Sequence, residues 1–184
     1  MIRWINLLAV LLLSGCALFS AKPSVVPVQP ENVPFALSGR VSINNNGEKH
    51  SAGLRWNHQE SSDELLLLTP LGSTVGRIFR DADHATLDSD GKHYQAHDVG
   101  TLMQQVLHWH LPLDGLHHWV LGLPAQHSTA RIEHNSEGRI SLMKQDGWEI
   151  QYVRYEGKLP ARLKLSRENL QVLLLIDEWD WEYQ

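Results

Sequence analysis

The sequence predicts a mainly β domain, a curved antiparallel sheet or open barrel with short helices across its concave face. Three observations predict it. Apolar and polar residues alternate with period two through most of the chain after residue 34. Turn-forming clusters such as Asn44–Gly47, Ser89-Asp90-Gly91 and Asp146-Gly147 recur at hairpin spacing. Helical periodicity occurs in one place only, between Asp98 and Pro124.

The elements follow in order. Phe35, Leu37, Gly39, Val41 and Ile43 share one face of a first strand, with Ala36, Ser38, Arg40 and Ser42 on the other. Ala52, Leu54 and Trp56 alternate with Gly53, Arg55 and Asn57 in a second. Glu64 to Thr69 and Thr74 to Arg80 form a third and a fourth, and Ala85–Leu87 and His93–Gln95 flank a hairpin turn. Asp98 is placed to cap a helix carrying Val99, Leu102, Met103, Val106 and Leu107 on one stripe, ended by Pro112. Asp114 is placed to cap a shorter helix with Leu116, Trp119, Val120 and Leu123 on one side, stopped by Gly122 and Pro124. Ile140 and Leu142, then Trp148, Ile150 and Tyr152, make a hairpin around Asp146-Gly147. Leu159, Ala161, Leu163 and Leu165 alternate with polar and charged residues, and Leu170 to Tyr183 gives the last strand. No internal repeat and no second folded domain is evident.

The N-terminus is of another kind. Arg3 is the only charged residue before Cys16, Ile5 to Leu13 is almost wholly apolar, and Leu13-Ser14-Gly15-Cys16 follows. A positive start, a short apolar core and small residues before a cleavage point are the layout of a secretory signal. The apolar run is well short of the roughly 20 residues that a membrane-spanning helix needs. The four residues ending at Cys16 resemble a bacterial lipobox. That resemblance implies cleavage before Cys16, a diacylglyceryl thioether on its sulfur and an acyl group on its new amine. Residues 1–15 are then a signal peptide. Residues 16–34 are the lipidated cysteine and a tether in which Pro23, Pro27, Pro30 and Pro34 favour extended chain. Residues 35–184 are the folded domain. Ala17 rather than Asp follows the cysteine, which by the same resemblance directs the protein to the inner leaflet of the outer membrane. Loss of Arg3 with the signal leaves 15 basic against 21 acidic residues, a net charge of −6. That balance argues against nucleic acid as a partner. Cys16 is the single cysteine, so no disulfide can form within the chain.

Little in the chain points to catalysis. There is no Gly-x-Ser-x-Gly elbow and no phosphate-binding glycine loop. Lipidation would consume the one thiol. Eleven histidines are present, and His108, His110, His117 and His118 crowd the helical stretch. None of these four pairs at i, i+4 and no His-Glu-x-x-His occurs, so the sequence indicates no metal site, and His117 and His118 are expected to face solvent. Tryptophan is abundant, with Trp56, Trp109, Trp119, Trp148, Trp179 and Trp181 all at positions that can face inward. An ordinary aromatic core and a lining that receives apolar ligands both fit this pattern. Thr69-Pro70-Leu71-Gly72 is sharper: Pro70 and Gly72 suit positions i+1 and i+3 of a type I turn. Leu71 then sits at the tip of a hairpin, where Asn or Asp would suit the turn better.

The greasy strand ending in Pro70-Leu71-Gly72-Ser73 and the helix ending in Leu116-His117-His118-Trp119-Val120-Leu121-Gly122-Leu123-Pro124 resemble the LolB family of outer-membrane lipoprotein receptors. So does Phe35-x-x-x-Gly39-Arg40, soon after a lipobox and tether. The chain departs from the family in its paired His before Trp119. The resemblance implies an unclosed antiparallel β-barrel with a lid of short α-helices over a hydrophobic cavity, and a function without enzymatic chemistry or cofactor. The protein would accept the acyl chains of lipoproteins from a periplasmic LolA-like carrier and release them into the outer membrane, as a monomer facing the periplasm. It implies that Pro70, Leu71 and Gly72 form a membrane-inserting loop. The candidate cavity residues are Trp56, Trp109, Trp119, Trp148, Tyr152, Leu163 and Trp179. An envelope lipoprotein that binds free lipid or another hydrophobic ligand is the alternative reading.

Overall fold

In the computed structural model, which describes residues 33–107, 113–126 and 128–180, the alternating segments become the strands of one antiparallel sheet. The first half of the chain gives β1 (Phe35–Asn45), β2 (Glu48–His58), β3 (Asp63–Leu68), β4 (Thr74–Arg80), β5 (Ala85–Ser89) and β6 (Lys92–Ala96). Two helices follow, α1 (Val99–Leu107) and α2 (Leu113–Val120). The second half gives β7 (Arg131–His134), β8 (Ile140–Gln145), β9 (Trp148–Glu156), β10 (Leu159–Arg167) and β11 (Leu170–Asp180). The spatial order is β6-β5-β4-β3-β2-β1-β11-β10-β9-β8-β7. Each half is a meander of hairpins, and the halves join where β1 pairs with β11, Leu37 opposite Trp179 and Val41 opposite Leu174. The strands β6 and β7 are not paired with each other, so the barrel is unclosed.

Inward residues of both halves make a single core with the helices. Leu54, Trp56, Leu65, Ile78 and Leu87 come from one half and Met143, Ile150, Leu163, Leu174 and Ile176 from the other, all buried. The apolar stripe of α1 puts Val99, Leu102 and Met103 into that core, and α2 adds Leu113, Leu116, Trp119 and Val120. Both unpaired edges are short and polar, Lys-His-Tyr-Gln-Ala on β6 and Arg-Ile-Glu-His on β7. Such composition discourages edge-to-edge association.

Asp98 caps α1 as expected: its carboxylate accepts from the Thr101 amide at 2.7 Å and the Thr101 hydroxyl at 2.8 Å. Those hydrogen bonds hold its carboxyl below the usual range. The expected role of Asp114 is corrected, because α2 begins at Leu113 and already includes it. Pro112 and Trp109 lie outside the described residues. The chain leaves α2 through a Schellman turn, with the Leu123 amide donating to the His118 carbonyl and the Gly122 amide to Trp119. One strand, β7, is not expected from the sequence.

A register shift between Ser38 and Gly39 brings β1 close to β11. A Cβ at Gly39 would lie 2.0 Å from the Leu175 carbonyl oxygen, so glycine is required by space. Gly39→Ala is expected to destabilise the domain by at least about 1–3 kcal/mol, since strand backbones must part to admit it. A urea midpoint equal to that of the parent would contradict this.

Candidate functional site

Under the helices lies a cavity of about 100 Å³ lined only by apolar side chains. Its walls are Val41 and Ile43 of β1, Leu54 and Trp56 of β2, Leu65 and Leu67 of β3, Ile78 of β4, Leu165 of β10, and Val172 and Leu174 of β11. Met103 of α1 and Leu116 of α2 roof it. Val41, Ile43 and Leu67 are only partly buried, so the cavity approaches the surface at the end of the sheet where the β3–β4 hairpin turns. A space this small and apolar stays dry, being below the roughly 150 Å³ of an engineered apolar cavity that admits benzene.

That hairpin carries Leu71. The Gly72 amide donates to the Thr69 carbonyl at 2.9 Å, closing a turn with Pro70 and Leu71 at its centre. The Ser73 amide donates to the Thr69 hydroxyl at 3.1 Å. Gly72 has φ +85°, the left-handed residue that follows a type I turn in a bulged hairpin and that glycine accepts without strain. Leu71 is 95% exposed and Val75, on the outward face of β4, is 45% exposed. From Leu65 to Gly76 no residue is charged, and the Glu64–Arg77 ion pair bounds this stretch.

At the opposite end of the strands sits a buried polar cluster. The Asp63 carboxylate accepts from Trp56 Nε1 at 2.6 Å, His58 Nδ1 at 2.8 Å and Arg80 Nε at 2.5 Å. Burial by itself would raise its pKa, but the hydrogen bond and charge of His58, with Arg80 and Trp56, outweigh that and hold the carboxyl below its ordinary value. His117 of α2 stacks on His58, ring centroids 4.7 Å apart and planes 18° apart. Its Nδ1 donates to the Leu113 carbonyl at 3.2 Å. The expectation that His117 faces solvent is corrected: it is 7% exposed. Burial first, then the charges of His118 and His58, push its pKa down to about 4, against a smaller upward pull from the Leu113 carbonyl and Asp63.

The other flank of α2 is held differently. Trp119 Nε1 donates to Gln145 Oε1 at 2.8 Å, and the same oxygen accepts from the Ala125 amide at 2.9 Å. Gln145 Nε2 donates to the carbonyls of Ala125 and Ser128. The Tyr152 hydroxyl donates to the Trp119 carbonyl at 3.0 Å, and burial pushes that phenol up, so it keeps its proton.

Of the candidate cavity residues, Trp56 lines the cavity. Trp119, Trp148, Tyr152 and Leu163 are buried in the core beside it rather than lining it, and Trp179 is half-buried with its ring against Phe35. Cys16 and the tether as far as residue 32 lie outside the described residues. The aliphatic lining and the His58–Asp63–His117 cluster are what sequence reasoning missed. His58 and Asp63 were signalled by parity alone, being in phase with Trp56 and Leu65.

The family profile described as "Outer membrane lipoprotein LolB" matches residues 33–179. An outer-membrane lipoprotein LolB of Chromobacterium violaceum is 39% identical, over 97% of this chain and 99% of that one. Another, of Nitrosomonas europaea, is 36% identical over 94% and 89%. Among solved structures, a LolA superfamily protein from Nitrosomonas europaea superposes with a TM-score of 0.50 at 6% identity, covering 85% of this chain and 89% of that one. A DUF1329 family protein from Desulfovibrio piger does so with a TM-score of 0.53, also at 6% identity, covering 84% and 88%.

Proposed function

The chain belongs to the family of outer-membrane lipoproteins LolB, and from that premise we propose that it receives acylated lipoproteins from a LolA-like periplasmic carrier and inserts them into the outer membrane. The observation that carries this reading is the wholly apolar cavity roofed by two helices at the end of the barrel that bears Leu71. Acyl chains cannot cross water freely, since exposed apolar surface costs about 25 cal/mol per Å². A dry site that opens toward a membrane-seeking loop meets that need. About 100 Å³ is far below the roughly 300–1,000 Å³ of ordinary ligand sites, which supports reading this arrangement as a closed form in which Met103 and Leu116 move with their helices to admit cargo. Handover from the carrier needs only a tighter hold here, where each 1.4 kcal/mol gives about a tenfold bias.

Anchoring fits the same reading. Phe35, where the tether enters the domain, lies opposite His58 on β2 and so at the end of the strands away from Leu71. Residues 17–34 have a contour length of roughly 55 Å as extended chain. A strand of eleven residues such as β1 spans about 36 Å. A chain lipidated at Cys16 can therefore double back and set Leu71 against the inner leaflet in which it is anchored, with the domain on the periplasmic side acting as a monomer. No step of this handover calls on a cofactor.

The test is transfer of an acylated lipoprotein from its carrier to liposomes holding the full lipidated chain. Cargo is expected to leave the carrier and float with the liposomes, and to stay on the carrier when the chain is omitted. Cargo that remains on the carrier while the chain binds free fatty acid would replace this function with plain lipid binding.

A further inference from the structure

The two flanks of α2 differ in what opening would cost. On the β8–β9 side, release would break the Trp119–Gln145 bond, the Tyr152–Trp119 bond and the bonds by which Gln145 holds Ala125 and Ser128. Buried amide and indole groups would lose satisfied partners. On the β2 side the contact is a stack of two imidazoles. The Nε2 atoms of both His58 and His117 are buried with no hydrogen-bond partner among the described residues. Each Nδ1 is engaged, with Asp63 and with the Leu113 carbonyl, and each Nε2 is left for hydration to satisfy. Parting this stack breaks no hydrogen bond between the two rings and frees both Nε2 atoms to meet water. Parting the other flank breaks the bonds just named, although Trp148 Nε1 and Ser128 Oγ on that side are likewise buried without a partner among the described residues. Leu54 and Trp56 of β2, the strand that carries His58, line the cavity and no residue of β8 or β9 does, so the weak flank is also the one beside the cavity.

We propose that the His58–His117 stack is a proton-sensitive latch, which holds α2 over the cavity while His117 is neutral and releases it, pivoting on Trp119 and Gln145, when His117 takes up a proton. His117 faces His58 of β2 and, behind it, Asp63 of β3 with its Arg80 partner from β4; on its own helix it meets the His118 ring at 4.0 Å and the Leu113 carbonyl. The nearby Asp63 carboxylate is already engaged by three donors. His117 is buried with the rings of His58 and His118 against it, so a positive charge on it in the closed arrangement has little to compensate it.

The sign follows from proton binding. The closed form holds His117 near pKa 4, and a hydrated imidazole titrates near 6.5. The open form therefore binds more protons between those values, and closure is strongest above about pH 6.5 and weakens as the pH falls. At pH 5 the opening constant is raised roughly 20-fold over its value at pH 7 and roughly 30-fold over its value at pH 7.5, and it levels off below pH 4.

Hydrogen exchange on the full lipidated chain in liposomes tests this, with rates corrected for the intrinsic pH dependence of amide exchange. The inference rests on the cavity being the cargo site, but this readout needs neither cargo nor carrier, so it can fail while transfer succeeds and the reverse. Protection of the α2 amides is expected to drop about 30-fold from pH 7.5 to pH 5, with β1 and β11 changing far less. His117→Gln, which keeps a donor for the Leu113 carbonyl but does not titrate, is expected to flatten that response, and His117→Phe, which keeps the stack, to do the same. Unchanged α2 protection in the parent, or an acid response surviving in either variant that retains sheet protection, would overturn the latch.

Discussion

Leu71→Glu is expected to abolish release of cargo into membranes while leaving the domain folded and able to take cargo from the carrier. Leu71 is 95% exposed at the tip of its hairpin. The turn is held by the Gly72–Thr69 and Ser73–Thr69 bonds, none of which uses the Leu71 side chain. An exposed substitution of this kind shifts stability by no more than about 0.5 kcal/mol. Its effect at a bilayer is of another size. Burying the leucine yields about 1.5–3 kcal/mol, and an acidic side chain in hydrocarbon costs about 2.5–3.5 kcal/mol. The combined swing exceeds 4 kcal/mol, or about three orders of magnitude in the population of the inserted loop. Even a third of it would slow transfer tenfold. In the liposome assay, cargo should leave the carrier, remain on the Leu71→Glu chain and fail to appear in the bilayer. Normal transfer would remove the loop from the mechanism, and an unfolded variant would show that Leu71 is packed in solution.

Asp63→Ala is expected to cost about 3–5 kcal/mol, because removing one partner of a buried ionic cluster leaves the rest uncompensated. Three donors converge on this carboxylate, and Trp56 and His58 have no route to water. Against a total of about 5–15 kcal/mol for an ordinary domain, that is enough to leave the protein partly unfolded at growth temperature. The melting midpoint should fall by roughly 6–20 °C. Its sequence neighbour is the control: Glu64 pairs with Arg77 on the exposed face, and Glu64→Ala should cost under about 1 kcal/mol. Equal effects from the two would mean that the Asp63 cluster is hydrated and not closed. The depressed pKa adds a pH signature. Asp63 contributes stability that is complete above about pH 4, its unfolded value, and is lost as the pH falls through its lower folded value.

Much of this was legible in the chain. Period-two alternation, helped by one leucine run and by turn residues between short strands, located ten of the eleven strands, because an inward side chain at every second position is what burying one face of a sheet requires. Asp98 marked the start of α1 and Gly122 the end of α2 for reasons of backbone satisfaction that hold in any fold. Leu71 stood out because a turn tip is the one place where a leucine has nothing local to gain. The strand β7 escaped notice because an edge strand with only Ile132 partly covered carries almost no alternation. The aliphatic lining of the cavity was not legible for another reason. Alternation tells which side chains point inward, but not where inward side chains fail to fill space. Trp119 and Trp148 are large enough to pack solidly against each other, ring centroids 6.3 Å apart, and the gap falls where Val41, Leu54 and Val172 are too short to meet. His117 was misjudged on its chemistry alone. It lies four residues after Leu113 and three before Val120, on a face that the helical period buries.

The join between β1 and β11 also governs when the molecule can assemble. Every other neighbouring pair of strands is linked by a hairpin, a local closure that takes microseconds. This one brings Ala36 against Asp180 across nearly the whole length of the domain, and chain entropy makes such distant pairings late. Until then the chain consists of two separate meanders, each with one flank of apolar residues uncovered. The wall of the cavity crosses that seam, Val41 and Ile43 on one side and Val172 and Leu174 on the other. The cavity therefore has no precursor in either half and is expected to arise only in the final step of folding, once the last strand has been synthesised. A chain still threading through a membrane, with its C-terminal residues on the far side, has no finished barrel to obstruct its passage and no cavity in which to trap a lipid too soon.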